Sequence, residues 1–435
     1  MNIEIEKNGS TKPVLLYITD GYPFKYSEVF PGDELPFLAE CNWNIYLLPI
    51  LKKNNEASIV PPSVTMDTCL VASKKQKLLF LFSFQAIKLL LQEYKSYKGK
   101  PAKVRLKAAL GAIATALCAK NNLRKFINKH SLFKRPLVVY TYWYNSTAFG
   151  VNLLQQEFPH IRFVSRVHGY DLYPERHKHG YLPFRFLRCK RFDAVCPVSK
   201  AGFDLLSKDG HSPEHLHLNY LGVPATNAMA QATQAGCLAV VSCASVVPVK
   251  RLCLLLQSLA AYATENPNLS ICWQHFGGGQ GLNDLRSFVK QKTSALSNLR
   301  VVLYGHKPVA EVREFLASNK LDVFISVSES EGLPVSMQEA AICGIPIIAT
   351  DAGGTGEIVT KETGILLSLH YTQQNFSEAL TSIQEWKNNE CREKIADLCK
   401  QKFLNTQNYK KFIQEVLEKQ IKESKESLSH NNSNF

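Results

Sequence analysis

Long apolar runs are what this sequence most lacks. The longest uncharged one, Ala108–Ala119, has twelve residues, whereas a helix needs roughly 20 to cross a bilayer. An integral membrane protein is therefore not expected. The opening MNIEIEKNGSTK has neither the basic start nor the apolar core of a secretory leader, which points to the cytoplasm. Pairs of the C-x-x-C kind are missing as well: of twelve cysteines the closest are Cys237/Cys243, Cys189/Cys196 and Cys391/Cys399. That spacing argues against zinc knuckles and dithiol redox motifs and for free thiols in a reducing compartment. Pro (20) and Gly (23) are not in excess, and 45% of residues are hydrophobic, so disorder is excluded as the main state. At roughly 150 residues per domain, 435 residues allow two or three domains.

Acid is scarce in one place only. Residues 74–135 hold sixteen Lys and Arg against a single acid, Glu93, a net of +15. The rest of the chain has 51 − 16 = 35 basic and 37 − 1 = 36 acidic residues, a net of −1. The excess therefore marks one surface and argues against a polyanion binder that is basic throughout. Inside the block, Leu78–Leu91 and Val104–Leu117 carry apolar residues at helical spacing among lysines. Two such helices suit the surface of an anionic membrane; the plain alternative is a solvated face.

Elsewhere strands and helices alternate. Pro13–Thr19, Trp43–Ile50, Leu137–Tyr142, Arg162–Val167 and Ala194–Val198 read as buried parallel strands. Around Gly222–Gly236 the periodicity is lost among small residues, which places an interdomain linker at 223–236. The alternation then restarts with strands Leu238–Cys243, Ile271–Phe276, Val301–Tyr304, Val323–Val327 and Ile345–Thr350. The expected fold is α/β, with two Rossmann-like domains facing each other across a cleft. Their bounds are 1–222 and 237–405, followed by a helix at 406–423 returning to the first domain and a disordered polar tail at 424–435.

The most informative window is Ser326–Glu357, SVSESEGLPVSMQEAAICGIPIIATDAGGTGE. A strand ends, a turn carries Glu331 and Gly332, and a helix carries Glu339. Ligands of open α/β sheets sit off the carboxyl ends of strands, and a helix start favours anions. Eight positions on a helix span about 12 Å, which suits two carboxylates on separate parts of one extended ligand. The plain alternative is a charge at the helix start and a solvated side chain.

This window resembles the E-x7-E signature of the retaining GT-B glycosyltransferases of family four, here Glu331-GLPVSMQ-Glu339 followed by GIPIIATDAGG. VPVKR ending at Lys250 and Arg251 is similar to the family's donor-diphosphate loop, HFGGG at 275–279 to its H-F-G-x-G strand end, and SRVHGYDLY at 165–173 to its H-x-x-D loop. Val198-Ser199 with Leu205, NYLGV at 219–223, Tyr142-Trp143 and NYKKF at 408–412 echo it further. The resemblance implies a nucleotide-diphosphate-sugar donor held by Lys250, Arg251, Gly277, Gly278, Glu331, Gly332, Leu333 and Glu339. Glu339 takes the ribose and Glu331 the transferred sugar. His168, Asp171 and Glu331 serve catalysis. It also implies a glycan or lipid-linked glycan acceptor in surface-polysaccharide or lipopolysaccharide synthesis, with neither metal nor cofactor required. The expected location is cytoplasmic, peripheral at the inner face of the membrane.

Two departures stand out. Relatives usually carry Arg five residues before the Lys, where this chain has Ser245. The first βα loop has no Gly-Gly pair and is closer to a variant with Glu28 and Phe30, which leaves the acceptor class open. Asp171 is read either as a base or as a cap of the turn after Gly169. The glycines at 277–281 are read either as a phosphate cradle or as close packing. Neither His177/His179 nor His211/His215/His217 completes a metal set, so no metal is expected. Two rival readings remain: a nucleotide-sugar epimerase of the same fold, and a non-catalytic basic module binding membrane or nucleic acid. Phe80, Phe82, Phe84, Tyr94 and Tyr97 fall largely on apolar helix faces, against base stacking, so no nucleic-acid partner is expected.

Overall fold

The computed structural model describes residues 12–24, 30–52, 57–97, 102–177, 180–189 and 191–432. Glu28 and His179 lie outside them. The chain divides into two units. Unit 1 comprises Met1–Pro197, Phe203–Leu218 and Tyr409–Phe435; unit 2 comprises Val198–Gly202 and Asn219–Asn408.

Unit 1 is built on Val14–Thr19 (β1), Asn44–Pro49 (β2), Val64–Met66 (β3), Leu137–Thr141 (β4), Arg162–Val167 (β5) and Ala194–Pro197 (β6). These form one parallel sheet in the order β3-β2-β1-β4-β5-β6. Every residue of β1 is buried, because the sheet is covered on both faces. Val14, Leu16 and Ile18 join the core of one face, Leu15 and Tyr17 that of the other, the alternation that an extended backbone imposes. Unit 2 repeats the plan with Cys237–Cys243 (β7), Ser270–Phe276 (β8), Leu299–Gly305 (β9), Val323–Ser326 (β10), Ile347–Thr350 (β11) and Gly364–Leu367 (β12). Their order is β12-β11-β10-β7-β8-β9, again parallel. Its core gathers Leu255, Leu256, Leu259, Trp273, Val323, Ile325 and Phe376.

The basic block differs from expectation. Its first helix is two, Lys74–Leu81 (α2, after the helix Phe30–Ala39, α1) and Phe84–Ser96 (α3). Ser83 breaks the run because its side chain accepts from the amide of Ala86 and starts a new helix. The following helix, Ala102–Lys129 (α4), buries Ala112, Ile113, Ala116 and Leu117 against Phe149 and Phe184. A Cβ on Gly150 would lie 2.1 Å from the Ala116 carbonyl, so only glycine permits this approach. The apolar stripe of Val104–Leu117 is thus core from Ala109 onward, whereas Leu106 is exposed. On α2 and α3, by contrast, Phe82 and Phe84 are 81% and 83% exposed, with Leu78, Leu79, Ile87 and Leu91 also in solvent.

Two boundary readings are corrected. Segment 223–236 is part of unit 2: Val223 donates to Phe403, Ala230 to Cys343, and Leu321 to Gln231. Isolated bridges of this kind leave no periodicity in a sequence. The tail at 424–435 is helical as far as Asn432, within the helix Glu418–Asn432. Ser424 is fully buried, its hydroxyl accepting from the Leu137 amide, and Ser427 accepts from Arg162. Polar composition hid a hydrogen-bonded face. Among the described residues no helix is long and apolar enough to cross a membrane.

Candidate functional site

In unit 2 the strands wind one way from β7 to β8 and β9 and the other way from β10 to β11 and β12. The loops after β7 and β10 therefore part from each other, which makes room for a ligand at the carboxyl ends of the strands. Lys250 stands on the first loop and Glu331 on the second, and their side chains meet at 2.5 Å. Backbone bonds set the first loop: Pro248–Lys250 is a single 3₁₀ turn, and Glu329 donates its amide to Val249 across the gap. Arg251 follows in the left-handed region at φ 48°. Its Nε donates to the Val327 carbonyl at 2.5 Å and its Nη1 to that of Leu369 at 2.8 Å. Arg251 thus pins the two loops, and that use accounts for its charge near a helix start without a ligand. Ser245, in the place of the family's Arg, is exposed on the same loop.

Glu331 and Glu339 are 6% and 7% exposed. The helix runs only over Val335–Ala341, so Glu331 sits in the preceding turn, and helical rise does not set its distance from Glu339. Gly332 accepts from the Gly354 amide at 2.9 Å, and Leu333 is buried beside it. Glu339 accepts from Arg313 Nε at 2.8 Å. Both line a cavity of about 240 Å³ with Thr226 and Cys343. Burial pushes the Cys243 thiol up to about 12, helped by the Glu339 charge.

The glycine run answers to packing first. Gly277 has φ 148°, and a Cβ there would meet the Ala244 carbonyl at 1.8 Å. Gly278 accepts from Val246, and Gly277 donates to Gly305. His275 is fully buried, with Nδ1 2.8 Å from the Ser242 hydroxyl that Trp273 also bonds. Among the described residues its Nε2 has no hydrogen-bond partner. Burial lowers its pKa to about 4, so the imidazole is neutral.

In unit 1 the same switch falls between β1 and β4, where Asn145 donates to Asp20 at 2.9 Å. His168, just after β5, points Nε2 at the Tyr142 carbonyl at 3.1 Å and lies against the rings of Tyr142 and Trp143. Burial and then the Arg166 charge lower its pKa to about 3. Asp171 Oδ2 accepts from the amides of Tyr144 and His168. Burial raises its pKa to about 7 against those bonds. His211 is bonded to Tyr144 and Leu206. Among the described residues no three metal-ligating side chains come together.

Sequence reasoning missed three arrangements. Arg166, fully buried, pairs with Glu34 at 2.9 Å and donates to Tyr140. An Arg inside a buried strand is a signal, but nothing in the sequence names its partner. Glu357 accepts from the amides of Lys200 and Ala201 and from Tyr220. Arg313, the cation on Glu339, comes from a helix 26 positions upstream.

Residues 227–402 match the family described as glycosyl transferases group 1. The putative colanic acid biosynthesis glycosyltransferase WcaL of Escherichia coli K12 is 26% identical over 203 residues, 45% of this chain and 48% of that protein. The O-antigen biosynthesis glycosyltransferase WbnH of Escherichia coli is 32% identical over 109 residues, 25% and 28% of the two chains. The match thus spans about half the length of the first of these relatives, and less of the second. Among solved structures, the lipopolysaccharide outer core galactosyltransferase WaaB in its apo form aligns with a TM-score of 0.67 at 14% identity, over 93% of this chain and 99% of that one. Anabaena HepE in complex with UDP and glucose gives 0.61 at 14%, over 93% and 100%. At such identity the likeness shows the fold, and the expected class, two α/β domains of the GT-B type, is borne out.

Proposed function

We infer that this chain is a glycosyltransferase that moves a sugar from a nucleotide-diphosphate sugar to a glycan or lipid-linked glycan in cell-surface polysaccharide synthesis. The observation that carries the reading is the Lys250–Glu331 pair spanning the switch between β7 and β10. At rest each charge satisfies the other. A bound donor offers both new partners: its diphosphate takes the Lys250 ammonium, and sugar hydroxyls take the Glu331 carboxylate. Glu339 leaves Arg313 for the ribose diol in the same way. Arg251, Gly277 and Gly278 hold the loops that present these groups, and the turn at Gly332 and Leu333 closes on the sugar. WcaL and WbnH, named for colanic acid and O-antigen synthesis, support the acceptor class, and the UDP in HepE supports the donor class.

Transfer retains configuration on this reading. The bond from the anomeric carbon to the diphosphate oxygen breaks, and a bond to the acceptor oxygen forms on the same face. The acceptor's proton passes to the leaving diphosphate oxygen, and Asp171 and neutral His168 are assigned to the acceptor's side of the reaction. Stabilisation comes from fixed charge and position. The enzyme works at the inner face of the membrane, with the α2–α3 corner as its contact. Neither metal nor cofactor takes part.

Titration with UDP, GDP and ADP, followed by transfer assays with the matching sugars, tests the reading. One nucleotide is expected to bind at least tenfold tighter than the others, and Lys250→Ala and Glu331→Gln to lower transfer by 100-fold or more. Full activity in either variant removes that residue from the site. An isomerised sugar formed from donor alone supports the epimerase instead. NMR of the product's anomeric proton decides retention.

A further inference from the structure

Unit 1 contains a cavity of about 320 Å³ at the carboxyl ends of its strands, lined by Thr115, Asn145, Tyr170, Asp171, His177 and Arg188 among others. The size lies in the range of small-ligand pockets, ~300–1,000 Å³. Arg188 is its unexplained member. It is 2% exposed, and among the described residues neither Nε nor Nη1 has a hydrogen-bond partner. Among the described residues no carboxylate lies within ion-pair distance of it; the Tyr144 ring lies 4.2 Å below the guanidinium, and the buried carboxyls of Asp171 and Glu93 act on it only from beyond that distance. Every other large buried guanidinium has polar partners: Arg166 has Glu34 and Tyr140, and Arg392 has the carbonyls of Ala230 and Leu321. A buried cation with unbonded N–H groups is unfavourable for the fold. A planar fork of donors facing a cavity is suited to an incoming phosphate or carboxylate.

Asp171 bears on what kind of anion fits. A simple anion filling the cavity would meet this carboxyl, but burial keeps Asp171 protonated up to about pH 7. Its Oδ2 is taken by two amides, which leaves Oδ1 for a hydroxyl. Tyr170, 55% exposed, offers an aromatic ring at the rim, where a sugar face packs. Hydroxyl, ring and anion on one small molecule match these three features together.

We propose that this cavity binds an anionic sugar unit of the acceptor, its phosphate or carboxylate held by Arg188 and a hydroxyl placed beside Asp171. The word acceptor rests on the transferase reading; the binding does not.

Calorimetric titration of the full chain with glucose 6-phosphate, glucuronate and glucose, without donor, tests it. At least one anionic sugar is expected to bind tenfold or more tighter than glucose, and which one does so tells phosphate from carboxylate. Arg188→Gln should erase the preference, and Arg188→Lys should keep part of it. Hydrogen exchange should slow at residues 182–189 on binding, a readout that contact with the lysines of 74–97 does not produce. Without ligand, Arg188→Gln should melt no lower than the wild type, whereas a structural arginine would lower the midpoint. Equal binding of all three sugars by the wild type overturns the proposal even if no variant folds, as does an unchanged preference in Arg188→Gln. Loss of nucleotide binding would instead sink the transferase reading and leave this site standing.

Discussion

Asp171 keeps its proton in the fold far above the pH at which a free aspartate loses it, because burial raises its pKa from 3.8 to about 7. The amide bonds from Tyr144 and His168 and the Arg188 charge pull the other way and do not prevail. The sign of the consequence follows from linkage. Between pH 4 and 7 the folded chain holds a proton that the unfolded chain has lost, so this group makes stability fall as pH rises through that window and level off above it. Asp171→Asn is neutral at every pH and can still accept the two amides. Its stability relative to wild type should therefore improve by up to a few kcal/mol from pH 4 to pH 8, read from urea midpoints. A difference that does not change with pH would show that the carboxyl ionises normally. If the carboxylate serves as base, transfer should climb with pH and reach its plateau above about 7.

The two six-stranded sheets were legible in the sequence chiefly because their central strands are buried on both faces, so that runs such as VLLYIT and RFVSRV are continuous; ten of the twelve strands were found, the half-exposed edge strand β9 among them. The other two, β3 and β12, are edge strands with exposed members, Met66 in one and Leu366 in the other, so neither forms a continuous apolar run. An apolar stripe at helical spacing looks the same whether it faces a core or a lipid, and only packing told α4 from α2 and α3. The candidate carboxylates Glu331 and Glu339 come from one window; their resting partners come from elsewhere, Lys250 from another loop and Arg313 from another helix, and of these only the Lys was marked by a motif. The α2–α3 corner carries the next expectation. Leu78, Leu79, Phe82 and Phe84 reach solvent among Lys74, Lys75, Lys77 and Lys88, and removing two exposed phenylalanines takes no contact from the core. Phe82→Ser with Phe84→Ser should lower co-sedimentation with phosphatidylglycerol vesicles by tenfold or more and leave the melting midpoint within about 1 °C. Wild-type binding to neutral phosphatidylcholine vesicles at high salt, equal to that on anionic ones, would remove the membrane from the account.

At the scale of the whole molecule, the charge excess and the proposed chemistry occupy different parts of the chain. The +15 of residues 74–135 lies in unit 1, and the remaining residues sum to −1. On the proposed reading the donor's cation is a single Lys250, paired at rest inside unit 2, whereas a membrane contact at 74–97 would sum many exposed lysines. Salt must then separate the two functions, since contacts built on exposed charge are screened at a Debye length of about 10 Å in 0.1 M salt, and partly buried pairs much less so. Hydrogen exchange read by mass spectrometry over both units measures this directly. The cognate nucleoside diphosphate should slow exchange at 244–251 and 327–334, where the loops after β7 and β10 are joined by the Glu329–Val249 bond, and leave 74–97 untouched. Anionic vesicles should do the reverse, slowing 74–97 alone. Raising salt from 0.1 to 0.5 M should abolish the second pattern and weaken the first less than fivefold. Nucleotide protection that appears in the basic block, or that vanishes with salt as fast as the vesicle pattern, would mean that the lysines bind the nucleotide and that the Lys250–Glu331 pair is only structural.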